Sequence, residues 1–143
     1  MPDAYDLDQF VNAQSPLYQE VLTELRLGRK QGHWMWFIFP QLKGLGHSWM
    51  AARFGIASRA EARAYLAHPL LGSRLVECTQ LVNNVEGRSI PEIFGDVDAL
   101  KFRSSMTLFA QVAQQPSVFT EALARYFSGQ PDTLTLERLS NED

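Results

Sequence analysis

Several things are scarce in this chain, and each scarcity excludes something. Cysteine occurs once, at Cys78, so no internal disulfide can form and nothing points to export. Long apolar runs are missing: the longest, Trp34–Pro40, is seven residues, against the ~20 of a membrane-spanning helix. No charged start followed by an apolar stretch and a small-residue cleavage site is present. From these absences the expectation is a cytoplasmic protein with no membrane partner. Sustained apolar-polar alternation, the mark of strands, is lacking as well.

The most informative absence is of acid. From Leu25 to Ala60 there is no Asp or Glu, although the chain holds 16 acids against 13 Lys and Arg. Arg26, Arg29, Lys30, Lys43, Arg53 and Arg59 all fall in this stretch, so the basic charge is concentrated there and the remainder is strongly acidic. Trp34, Trp36, Trp49, His33, His47 and five of the nine glycines lie there too. Cations, aromatic faces and flexible backbone in one segment suit an anionic, ring-bearing ligand. The net charge of −3 argues against general nucleic-acid binding and leaves room only for a narrow basic patch.

A chain of 143 residues with 45% apolar content is sized for one soluble domain, which buries roughly two-thirds of its unfolded surface. Its period is helical almost throughout. Asp6 or Asp8 is placed to cap a helix through Phe10 to Gln14, and Ser15 with Pro16 to open a second, striped by Leu17, Val21, Leu22 and Leu25 and ended by Gly28. Ser58 and Glu61 have capping-box spacing for a third helix, which Pro69 stops; Leu71, Leu75, Cys78 and Val82 share a face of a fourth. Ser89 and Pro91 open a short turn closed by Gly95. Asp96 is expected to cap the longest helix, whose stripe is Ala99, Phe102, Met106, Phe109 and Ala113. Pro116 and Ser117 start the next, and a last turn covers Leu134 to Leu139 before Ser140–Asp143 frays. The expected fold is all-α, one domain over 1–143 with its core at about 5–139 and about seven or eight short helices.

Six consecutive apolar residues, Trp34 to Phe39, have no solvent face in either a helix or a strand. They are a buried hub or one wall of a cavity, and the two are compatible where a core is open on one side. The strings "GRKQGHWMWFIFPQLKGLG", "FGIASRAEARAYLAHPLLGSRL" and "DALKFRSSMTLF" resemble a bacterial family of uncharacterised proteins, a domain of unknown function sometimes labelled calpastatin-like. The resemblance runs from about Tyr5 to Leu139 and implies a multihelical all-α domain, with no established activity or catalytic residue. That label implies a polar, disordered inhibitor, whereas this chain has the apolar content of a packed domain. A fainter likeness, from Ser48 to Gly55, is to a helical family of N-glycosidases that act on nucleotide-like substrates.

Single residues give weaker signals. Arg29 and Lys30 between Gly28 and Gly32 can present two charges to a phosphate, or can be ordinary cations at a helix end. His33 can donate to an anion or be a structural histidine beside the aromatics; His47 reads as a loop residue and His68 as part of a helix end. His33, His47, His68 and Cys78 fall at no metal-ligand spacing, and Gly44-Leu45-Gly46 lacks the frame of a dinucleotide fingerprint, so no metal or cofactor is expected. Cys78, on an apolar face, reads as an inert buried thiol. Asp98, Lys101 and Ser105 align on the long helix beside Ser104, either as a surface ion pair with packed serines, as an anion contact, or as a Ser-Lys nucleophile. Among the nearby carboxylates Glu86, Glu92, Asp96 and Asp98, a glycosidase would recruit one. The preferred reading is a binding module whose ligand residues are Arg29, Lys30, His33, Trp34, Trp36, Lys101, Ser104 and Ser105. A hydrolase or N-glycosidase acting on a nucleotide-like substrate, and a structural or protein-interaction domain, are the alternatives.

Overall fold

The structure is a computed structural model and describes residues 5–142, without the side chain of Glu142. Among these residues there are ten helices: α1 (Asp8–Gln14), α2 (Tyr18–Leu27), α3 (Met35–Ile38), α4 (Trp49–Phe54), α5 (Arg59–Ala67), α6 (Pro69–Asn83), α7 (Ile90–Phe94), α8 (Asp96–Val112), α9 (Val118–Phe127) and α10 (Thr133–Glu142). No strand occurs among them; the only β pairing is an isolated parallel bridge between Leu42 and Ile56. The all-α expectation holds, but the helix count exceeds the expected seven or eight. The two helices that periodicity does not announce are α3 and α4, both inside the acid-free segment. In α3 an apolar residue stands at every position, so there is no polar face to mark a period, and α4 is six residues long with an exposed Trp49 at its start.

Local chemistry explains most of the boundaries. Gly28 ends α2 at φ +71°, a left-handed cap that costs glycine little. Ser58 Oγ accepts from Glu61 N, Ser89 and Glu92 form a reciprocal capping box on α7, and Ser117 caps α9. His68 ends α5 and caps α6, its Nδ1 accepting from Leu70 N and Leu71 N at 3.2 Å. Other boundaries correct the sequence reading. Gly95, at φ +86°, is the cap of α8, and Asp96 is the first helical residue, where its carboxylate meets the positive end of the helix dipole. Leu7 and Leu17 precede α1 and α2 without any side-chain cap, so neither Asp6, Asp8 nor Ser15 serves as one. The chain stays helical through Glu142 where fraying was expected, with Ser140 Oγ bonded to Leu136 O at 3.0 Å; Asp143 lies outside the described residues.

Helices α5, α6, α8 and α9 pack against one another as the central group, with α7 and α10 on α8, and α1, α2 and α3 on α6. Aromatic rings knit it together. Phe102 of α8 meets Phe39 edge-on at 5.1 Å and stacks on Phe94 at 5.0 Å, while Tyr65 of α5 bridges Phe10 and Phe109. Of the run Trp34–Phe39, five residues are buried and Trp36 alone is partly exposed. The segment is therefore the hub of the core, and each large side chain sealed there contributes about 1.5–3 kcal/mol. Trp36 is the exception that matters below.

Candidate functional site

The acid-free segment borrows its carboxylates from either side. Glu24, on the last turns of α2, accepts through one oxygen from Gln31 N at 2.7 Å, Gly32 N at 2.9 Å and the Trp34 indole at 2.9 Å. Burial acts to raise the Glu24 carboxyl, but it is outweighed by the Gly32 and Gln31 N–H groups, the indole and nearby Lys30, so the group is held below its ordinary value. Lys30 N donates to Ile93 O at 2.8 Å, clipping the loop to α7. The Lys30 ammonium then bonds Gly32 O at 2.6 Å, lies 5.0 Å from the Trp34 ring centre and pairs with Asp98 of α8 at 2.8 Å.

Asp98 carries two cations. Its other oxygen lies 3.3 Å from the Lys101 ammonium, one helical turn along α8, and that ammonium sits 4.8 Å over the ring of Trp36. The basic segment and the long helix thus meet around a single carboxylate. Beside it, Met35, Trp36, Phe39, Gln41, Ala51, Phe54, Gly55 and Lys101 line a slot of about 10 Å³, enough for roughly one water molecule. The Trp36 indole N–H is buried and has no acceptor among the described residues. Such a donor forfeits about 1–3 kcal/mol of hydration.

The other residues expected at the site are dispersed. Trp34 is 1% exposed and belongs wholly to the core. Arg29 and His33 are exposed on the loop. Ser104 donates to Asp132 Oδ2 at 3.2 Å, which ties α8 to the start of α10. Ser105 is fully buried and its hydroxyl has no partner among the described residues, so it makes no hydrogen bond to Lys101. A lysine ion-paired to a carboxylate and out of contact with that serine is not arranged as its base. Glu92 is engaged in its capping box. Cys78 is buried against Tyr18, and burial pushes its thiol up to about 12, which leaves it unreactive at neutral pH. No group of three or more His, Cys, Asp or Glu among the described residues is placed to hold a metal ion.

Sequence reasoning missed Glu24, whose position one residue before the acid-free stretch was the available signal. It also missed a groove of about 540 Å³ that shares Phe54 with the slot and includes Gln9, Asn12, Met50 and Arg53. There Gln9 Nε2 donates to Arg53 O at 3.1 Å, and the Arg53 guanidinium stacks on Trp49 and Phe54 at 5.4 and 5.1 Å.

Comparison with known proteins agrees with this fold. The profile of a family described as a protein of unknown function (DUF1810) matches residues 4–139. The chain belongs to this family. It is also similar to a solved structure, that of the conserved hypothetical protein Rv1873 from Mycobacterium tuberculosis, with 57% identity, a TM-score of 0.95, and coverage of 96% of this chain and 99% of that one. No curated protein matches the chain. No helix among the described residues is long and apolar enough to cross a membrane.

Proposed function

We propose that the chain is a binding module for an anionic, ring-bearing metabolite of nucleotide type, with the ring beside Trp36 and the anion on Lys101. The observation that supports this most is that Trp36, whose buried indole N–H has no partner among the described residues, lines a mostly apolar slot together with Gln41 and the Lys101 ammonium. A ligand acceptor there recovers the donor's lost hydrogen bond, and the ring packs on Met35, Phe39 and Phe54. Asp98 is shared between Lys30 and Lys101, which leaves the Lys101 ammonium only partly neutralised.

The slot is narrow, and admission of a ring requires α4 to move outward. The segment between Leu42 and Ile56 is suited to that: its ends are held together by Lys43 N donating to Ile56 O at 2.7 Å and Ile56 N to Gln41 O at 2.9 Å, while α4 itself is short and carries an exposed Trp49. The test is a titration of adenosine 5′-monophosphate and of ribose 5-phosphate into the protein, read by melting temperature and heat. The nucleotide should raise the melting temperature more than ribose 5-phosphate does, Lys101→Ala should remove most of that excess, and Lys101→Arg should retain much of it. No excess at saturating nucleotide, or an excess unaffected by Lys101→Ala, would overturn the proposal. Mass analysis of the same mixtures separates binding from cleavage.

A further inference from the structure

A different cleft carries a second assignment. The bridge that brings Gln41 and Gly55 to the slot brings Leu42, Lys43 and Ala57 to another opening of about 300 Å³, closed by Arg138 and Asn141 of α10. Among the described residues two cations line it and no carboxylate does. Lys30 and Lys101 both rest on Asp98, whereas neither Lys43 nor Arg138 is ion-paired or hydrogen-bonded through its side chain among the described residues. In a chain with more acids than bases, two cations facing one opening with no partner among the described residues give it a positive local potential.

The cleft is also built to hold its arginine. Gly44 has φ +96°, and a β-carbon there would lie 2.2 Å from Arg138 Nη2 and 2.6 Å from its Cζ, so the guanidinium is seated directly on bare backbone. Arg59 Nη1 donates to Leu139 O at 3.0 Å and ties α5 to the turn of α10 that carries Arg138. On the opposite wall the backbone of Lys43 is fixed by its bond to Ile56 O. Glu61, which accepts from Ala57 N at 2.9 Å, is engaged at the start of α5 and does not line the opening.

We infer that this cleft binds a phosphate group, either free phosphate or a phosphate monoester. The Arg138 fork matches two phosphate oxygens, Lys43 supplies a point charge and the Asn141 amide a neutral donor. Among the described residues the cleft shares no lining residue with the Trp36 slot, so the two assignments stand or fall separately.

The experiment titrates inorganic phosphate, and separately glycerol 3-phosphate, into the protein in dilute chloride buffer while amide spectra are recorded. Saturable shifts are expected at residues 42–44, 57 and 138–141. Arg138→Ala should weaken binding by about tenfold or more, as loss of a charge-assisted pair does, and Arg138→Lys should restore part of it. Lys101→Ala should leave it unchanged. Tighter binding of the ester identifies an organic phosphate as the ligand, and equal binding identifies phosphate itself. Should Arg138→Ala fail to fold, Lys43→Gln, at an exposed position, carries the test. Shifts that chloride reproduces at equal ionic strength, or that survive loss of these side chains, would overturn the assignment.

Discussion

Two tryptophans two residues apart each carry a lysine over the ring, Lys30 at 5.0 Å on Trp34 and Lys101 at 4.8 Å on Trp36, and both lysines reach the same Asp98. The contacts are alike and the environments are not. The Trp34 indole N–H is bonded to Glu24 and the ring is sealed among Phe39 and Phe94. The Trp36 N–H has no acceptor among the described residues and its ring borders a slot. A cation over an aromatic ring therefore does not by itself mark a ligand site. What separates the two is whether the polar atoms already have partners within the fold.

That contrast can be broken by mutation, and the largest effect belongs to the closed pair. Trp34→Ala should destabilise the protein by about 3–5 kcal/mol in chemical denaturation, the usual cost of removing a buried aromatic. Next comes its anchor: Glu24→Gln should cost about 2–3 kcal/mol, because three donors lose a charged acceptor. The pH dependence follows from the direction of the Glu24 shift. A carboxyl held below its ordinary value stabilises the folded state fully above the normal carboxylate range of about 4, and loses that contribution as pH falls through the lowered value. Glu24→Gln should accordingly flatten the acid side of the melting-temperature profile, and an unchanged acid limb would remove Glu24 from the account. The smallest effect compares the lysines. Lys30→Gln, at 8% side-chain exposure, should cost about 1 kcal/mol more than Lys101→Gln, at 22%, since exposed pairs contribute little. Equal losses would erase the distinction between them.

Much of this architecture was readable from the sequence, for identifiable reasons. Ser58, Ser89 and Ser117 announced the starts of α5, α7 and α9, and Gly28 the end of α2, because caps act within a few residues. The burial of Leu75, Cys78, Phe102 and Met106 followed from helical spacing. The run Trp34–Phe39 announced a hub without its conformation, since an all-apolar segment has no phase. The site was harder to read. Alignment along α8 correctly joined Asp98 to Lys101, yet Ser104 bonds Asp132 and Ser105, though one turn beyond Lys101, is sealed in the interior, because spacing along α8 does not record which neighbouring elements cover it. Neither the convergence of Lys30 on Asp98 nor that of Arg138 on Gly44 has a local signal. Both depend on how distant helices pack.

The measurement that bears most directly on the contrast is the stability of Trp34→Phe beside Trp36→Phe, each read by urea denaturation against the parent. Both replacements keep an aromatic ring and remove one indole N–H. Trp34→Phe should lose about 2 kcal/mol, because Glu24 forfeits a donor, while Trp36→Phe should stay within about 0.5 kcal/mol of the parent or exceed it, because a buried unsatisfied donor is removed. Equal losses in the two variants would contradict the account, since they would make Trp36 as much a part of the fold's own bonding as Trp34.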